Sequence, residues 1–251
     1  MMYTERDRGR VAGDIGFMAH CIARADVFEF PVVVADQSPV RTRSARPDDP
    51  GVRQRRPKIQ VAERILMDPD SDVVGLVANG DMTGAIRRLM ERYGTAVYRY
   101  CRDALRDATL ADDVQQQVFI AAYHDLPKFT GRSTLRTWLF AIARHRVLDA
   151  VKSRRRLQSH LESTGATGVP DPLPSPAERI DDQRLREALV ECLDKVREDV
   201  RNVLLLRFQQ GFTFEELAEI FGEKPGTLQA KVTRALPILR DCIENRTGGS
   251  L

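Results

Sequence analysis

Only four cysteines occur in 251 residues, and no two of them stand at a C-x-x-C spacing. Cys21, Cys101, Cys192 and Cys242 are widely separated, which argues against a metal knuckle or a disulfide framework. Reduced and mostly buried thiols are the expectation. The chain also lacks any run of about 18 apolar residues, so no membrane span is expected. Its N-terminus lacks the basic-then-apolar layout of a signal peptide, because the apolar stretch from Ile15 to His20 is too short. The cytoplasm is the expected location. Histidines number four and form no metal-spaced set, and no cluster of carboxylates stands out. No metal or cofactor is implied, and the chain is not expected to be an enzyme.

A composition of 30% charged and 42% hydrophobic residues suits a soluble, globular chain. Its length suffices for one or two domains with real cores. The net charge of +3 says little, but its distribution says more. Residues 1–66 carry 12 Lys+Arg and 9 Asp+Glu, and residues 67–251 carry 27 of each. Within that neutral part, Lys128 to Arg156 holds nine basic residues and a single acid, Asp149. A local basic patch on a neutral background fits directed nucleic-acid contacts better than a general polycation does.

Residues 1–66 show no sustained period. Pro31 interrupts the short apolar run VFEFPVVVA. The Pro-, Arg- and Ser-rich stretch after it is expected to be disordered. These residues read either as an extension without a fold of its own or as sequence upstream of a true start at Met67. From about Asp70 the spacing becomes helical. Val73, Val74, Val77, Ile86 and Leu89 mark a first helical face, and Tyr93, Val97, Tyr100, Cys101 and Leu105 continue it on a second helix. A third helix is expected from about Leu110 to Leu126, closed by Pro127. Gly131 makes a turn, and Ser133 is the candidate N-cap of a fourth helix. Residues 158–176, with prolines at 170, 172, 174 and 176, read as a linker. Helical periodicity resumes near Ala177. The expected architecture is all-α. It has an extension over 1–66, a helical unit over 67–157, a flexible linker over 158–176 and a second helical unit over 177–251.

Two stretches carry the chemistry. In GFTFEELAEIFGEKPGTLQAKVTRAL, Gly211 stops one helix, and Thr213 with Glu216 forms a capping box that starts the next. Gly222 ends that helix, and Thr227 is the candidate cap of a third. Leu228, Val232, Ala235 and Leu236 face inward, while Gln229, Ala230, Lys231, Thr233 and Arg234 face outward. No acid occurs from Lys224 to Arg240. Donors outside near a helix N-terminus are what a helix in the DNA major groove needs. Kinking is expected at Pro237.

The other stretch, Ala111 to Arg156, begins with the acidic, Gln-rich helix ADDVQQQVFIAAYHDL. It then turns through PKFTGRST into LRTWLFAIARHRVLDAVKSRRR. His145, Asp149, Lys152 and Arg156 share one stripe. Leu135, Trp138, Leu139 and Ile142 occupy the earlier inward side. Trp138 therefore stands between core and basic face, with core packing as its main expected role and base stacking as a second one.

ADDVQQQVF resembles the A-E-D-L-V-Q-E-V-F signature of region 2 in sigma-70-type factors. GRSTLRTWLFAIARHRVLDAVKSRRR resembles the continuation of that region in the extracytoplasmic-function group. GFTFEELAEIFGEKPGTLQAKVTRA resembles region 4 of the same group. The resemblance spans about residues 70–246, with the two regions in the family's order. It implies that Asp112, Asp113 and Gln116 dock on the largest subunit of bacterial RNA polymerase. It further implies that Thr130, Arg132, Ser133, Arg136, Trp138, His145, Arg146, Asp149 and Lys152 meet the −10 element and help open it. Thr227, Gln229, Ala230, Lys231, Thr233 and Arg234 are implied at the −35 element. Gln115 and Gln117 depart from the usual apolar and acidic residues, and Gln229 and Ala230 replace the frequent Arg and Ser. Partners implied are core polymerase, promoter DNA and, commonly in the family, an anti-sigma factor. The alternative is a free-standing helix-turn-helix regulator whose N-terminal unit dimerises or senses a ligand.

Overall fold

The computed structural model of the chain describes residues 69–164 and 180–248. The expectations for residues 1–66 and for most of the 158–176 linker lie outside them. All regular structure among the described residues is helical. The N-terminal unit holds α1 (Ser71–Ala78), α2 (Met82–Leu105), α3 (Ala108–Asp125), a 3-10 turn (Leu126–Lys128) and α4 (Leu135–Thr164). The C-terminal unit holds α5 (Ile180–Asp194), α6 (Glu198–Leu204), a π-helical turn (Leu205–Gln209), α7 (Phe214–Phe221) and α8 (Pro225–Thr247).

Caps set the helix boundaries. The first helical stretch divides at Asn79–Gly80, and the Asp81 side chain accepts from the Gly84 N–H at 2.8 Å, so Ile86 and Leu89 belong to α2. Asp107 caps α3 by accepting from the Leu110 N–H at 2.9 Å. Gly131 takes a left-handed turn with φ 68°, which costs glycine little. The cap of α4 is Thr134 rather than Ser133: its hydroxyl accepts from the Thr137 N–H at 3.1 Å. Both residues are good caps, and only the turn after Gly131 decides between them. α4 runs to Thr164, beyond the boundary expected at 157.

The apolar pattern packs as its period dictates. Leu89, Tyr93, Val97, Tyr100 and Cys101 of α2 meet Ala111, Val114, Val118 and Ala122 of α3 and Leu135, Leu139, Ala143 and Val147 of α4 in one core. Gln115, where the family has an apolar residue, lies between helices and donates to the Gly94 carbonyl at 2.8 Å. Asp70 is a buried carboxylate that the periodicity did not reveal. It is 1% exposed, pairs with Arg92 and accepts from the Tyr93 hydroxyl at 2.7 Å. Arg92 also pairs with Asp72 at 3.0 Å. Arg92→Met leaves Asp70 buried without its cation. It should cost about 3 kcal/mol, read as a lower urea midpoint at unchanged slope.

The cysteine expectation is corrected. Cys192 on α5 and Cys242 on α8 are joined by a disulfide, with Cα atoms 5.9 Å apart across 50 residues of sequence. The fold, not the linear spacing, brings them together. Cys101 is free and buried, and burial pushes its thiol up to about 12.

The two units pack against each other. The buried Asn202 side chain accepts from the Tyr100 hydroxyl at 2.8 Å and donates to the Glu198 carbonyl at 2.9 Å. Gln209 donates to Asp103 at 2.6 Å. Arg106, the cap of α2 at φ 58°, reaches Asp194 at 3.2 Å. Tyr100→Phe strands the Asn202 oxygen in the core. An unfolding measurement should show a loss of about 1–3 kcal/mol.

Candidate nucleic-acid interface

α4 advances about 100° per residue, so residues nine apart point in opposite directions. Arg136 and His145 are such a pair. His145, Asp149, Lys152 and Arg156 form an exposed stripe along one side. Trp138, seven residues before His145, lies on the same side and is half-buried, its ring 5.5 Å from that of Phe129. Core packing is thus its visible role, and part of its surface remains accessible. Thr130 and Arg132 are exposed in the preceding turn, while Ser133 and Arg146 are half-buried.

Arg136 goes elsewhere. With Phe140 and Arg144 it forms the side of α4 that the C-terminal unit covers. Its guanidinium lies 4.0 Å from the ring centre of Phe212 and donates to the Gln210 carbonyl. Burial pulls the Arg136 pKa down, opposed by Glu216. The Phe140 and Phe212 rings meet at 5.1 Å, and Arg144 sits 4.2 Å over Phe221. Both phenylalanines at the first contact are fully buried. Eight of the nine expected −10 residues are therefore outside this contact, and Arg136 is inside it.

The helix-turn-helix forms as expected in its first half. The Thr213 hydroxyl accepts from the Glu216 N–H at 3.2 Å, and the Glu216 carboxylate accepts from the Thr213 N–H at 2.8 Å. Gly222 closes α7 with φ 68°. The start of α8 differs from expectation. Pro225 occupies its first position, so Thr227 lies inside the first turn and caps nothing. α8 then runs through Pro237 as one helix to Thr247. Leu228, Val232, Ala235 and Leu236 are buried as expected. Thr227, Gln229 and Arg234 are exposed, and Ala230, Lys231 and Thr233 are half-buried. Lys231 is held internally, with its ammonium 2.7 Å from Glu223 and 3.4 Å from Asp199. Burial pulls the Asp199 carboxyl upward, yet Arg197 and Lys231 bring it below the ordinary range.

A third surface lies on α3. Asp112, Asp113 and Gln116 are exposed, as expected. Two apolar residues continue the same face: Ile120 is 58% exposed and Tyr123 is 45% exposed. Their spacing of four and seven from Gln116 places both in line with it.

The described residues thus present an acidic and apolar helix face, a basic stripe and a helix-turn-helix. Residues 89–157 match the family model of Sigma-70 region 2, and residues 186–236 match that of Sigma-70, region 4. The ECF RNA polymerase sigma factor ShbA of Streptomyces griseus is 31% identical over 71% of this chain and 100% of its own length. The chain belongs to the extracytoplasmic-function group of the sigma-70 family. ECF RNA polymerase sigma factor SigC of Mycobacterium tuberculosis is 35% identical over 52% of this chain and 69% of its own length. A solved structure of the sigma factor RpoE of Bartonella quintana, in complex with the anti-sigma factor NepR, shares the fold. Its TM-score is 0.53 at 21% identity, covering 66% of this chain and 98% of that one. This sigma factor acts in transcription initiation, and its relatives do not favour the free-standing regulator. No helix among its described residues is long and apolar enough to cross a membrane.

Proposed function

We propose that this sigma factor divides its work among three surfaces. The α3 face of Asp112, Asp113 and Gln116, extended by Ile120 and Tyr123, docks on core RNA polymerase. The α4 stripe of Trp138, His145, Asp149 and Lys152 meets the opened −10 strand, together with Thr130, Arg132, Ser133 and Arg146. The outward side of α8, with Thr227, Gln229, Ala230, Thr233 and Arg234, reads the −35 element. Lys231 contributes there once it leaves Glu223 and Asp199. In this reading the expected 67–157 unit serves core polymerase and the −10 element, and the expected 177–251 unit serves the −35 element. The protein is a specificity subunit rather than an enzyme by itself, and it works in the cytoplasm beside polymerase. An anti-sigma factor is a further partner in this reading, because the RpoE neighbour was solved with one.

The observation that carries the reading is that each of the three surfaces presents exposed side chains while the apolar sides of the same helices are buried. Unpaired bases need aromatic and cationic side chains to hold them, and the α4 stripe supplies both. Opening without ATP draws on binding free energy, so a large partner is required.

The two units cannot work from their packed arrangement. Elements at −10 and −35 lie about 25 base pairs apart, or about 85 Å along the duplex. The units must therefore separate on the promoter, which uncovers Arg136, Phe140 and Arg144. Arg136 then joins the −10 contacts. In hydrogen exchange, residues 136–147 should be less protected in the promoter complex than in the free chain. Equal protection in both would contradict separation.

Permanganate reactivity of unpaired thymines tests the stripe. His145→Ala with Lys152→Ala should lower −10 reactivity by about tenfold, with the −35 footprint kept. Unchanged reactivity removes the stripe from strand opening.

A further inference from the structure

Cys192 and Cys242 have no part in the three surfaces, yet the fold places them together. Their Cα atoms stand 5.9 Å apart, within bridging range, across a loop of 50 residues. We propose that this pair is a reversible redox site that controls how firmly the −35 helix is held.

Position is the first argument. α8 carries Gln229 and Arg234 in its first turns and Cys242 near its other end. Arg234 and Cys242 are eight residues apart, or about 12 Å along the axis. Pro237 lies between them and removes the backbone bond that would link it to Thr233. The outer half of α8 is therefore coupled to the reading half less tightly by its own backbone. The bond to α5 fastens that outer half, with the Arg246–Glu191 ion pair beside it. Leu185 and Leu189 of α5 and Leu239 and Ile243 of α8 are buried together with Cys192 in one core.

Access is the second argument. Cys192 is 1% exposed, whereas Cys242 is only partly buried. A small oxidant therefore meets Cys242 first. Cys101 supplies the contrast: it is a free thiol buried in the N-terminal core, and burial pushes it up to about 12. Thiolate, the reacting form, is scarce at such a site.

The chemistry balances with a hydroperoxide as oxidant. The Cys242 thiolate attacks one peroxide oxygen, giving a sulfenic acid and releasing water. The Cys192 sulfur then attacks the Cys242 sulfur and expels the second water. Two thiols lose two electrons and two protons, and one hydrogen peroxide becomes two waters. A small dithiol reverses the step by exchange, leaving as its own cyclic disulfide. The linked form holds α8 on α5, and the reduced form leaves that contact to packing and the Arg246–Glu191 ion pair.

The consequence for promoters rests on the assignment of α8 to the −35 element; the thiol chemistry does not. The test uses the full chain, treated with dithiothreitol or with hydrogen peroxide and then desalted. Iodoacetamide labelling with peptide mapping should find Cys192 and Cys242 free after the dithiol and linked after peroxide, with Cys101 still a thiol. The unfolding midpoint should rise by about 10 °C on linkage and fall back on reduction. The Cys192→Ser, Cys242→Ser double variant should show one midpoint in both conditions. With core polymerase and genomic fragments, the linked wild type should give at least about threefold more promoter-specific run-off product than the reduced one. The double variant should give equal amounts.

Equal labelling of both cysteines before and after peroxide would overturn the redox site, as would an unmoved midpoint. Linkage that forms and reverses while transcript yield stays constant would overturn the control of promoter reading. Failure to obtain promoter-specific product in any state would count against the α8 assignment, and with it the promoter consequence. Labelling and unfolding would still decide the redox site.

Discussion

Reversing both charges in Asp112→Arg, Asp113→Arg is expected to cut promoter-specific transcription about 100-fold, a loss on the order of 3 kcal/mol in polymerase docking. Both carboxylates are exposed on α3 and lie on the side of the helix away from Val114 and Val118. The substitution therefore changes the surface and leaves the core intact, so unfolding midpoints should stay close to wild type. If the proposed docking pairs these carboxylates with cations, attraction becomes repulsion at two adjacent positions, and like charges across an interface cost several kcal/mol. DNA-site preference in the residual transcripts should be unchanged, because α4 and α8 are untouched. Ile120→Ala tests the apolar extension of the same face and should weaken co-purification with core polymerase to a smaller degree. Full activity in the double reversal would move docking to another surface.

The second large effect lies on α8. Gln229→Ala and Arg234→Ala should each reduce discrimination at the −35 element by about 1–3 kcal/mol per lost base contact. The two residues are exposed, whereas Lys231 is held by Glu223 and Asp199. Lys231→Ala should behave differently. It releases Glu223 and Asp199 from their cation, so part of its cost should appear as lost stability rather than lost discrimination. Competition between promoter fragments that differ only at −35 separates these outcomes. Unchanged selectivity in both Gln229→Ala and Arg234→Ala would remove the base-reading assignment.

Local chemistry was the legible part of this chain. The Thr213–Glu216 capping box needs only residues three apart, and it forms as read. The same holds for the buried faces of α3 and α8, where apolar residues at every third or fourth position point inward. Starts of α4 and α8 were less legible, because Ser133 and Thr134 cap equally well and because Pro225 begins a helix ahead of Thr227. Arg136 is instructive. The basic residues from 128 to 156 share a segment but not one surface, because the 100° step of a helix sets Arg136 opposite His145. That separation could have been found by arithmetic. Its partner, Phe212, could not, since the contact spans 76 positions and depends on how two units pack. The Cys192–Cys242 bond was hidden for the same reason.

Run-off transcription on genomic fragments tests the central claim most directly. Core RNA polymerase, this chain, and the two together are each assayed on the same fragments. Only the mixture is expected to give discrete promoter-specific transcripts, and the chain should co-purify with core polymerase. A chain that fails to co-purify yet footprints DNA by itself, with no new transcripts from the mixture, would contradict the account.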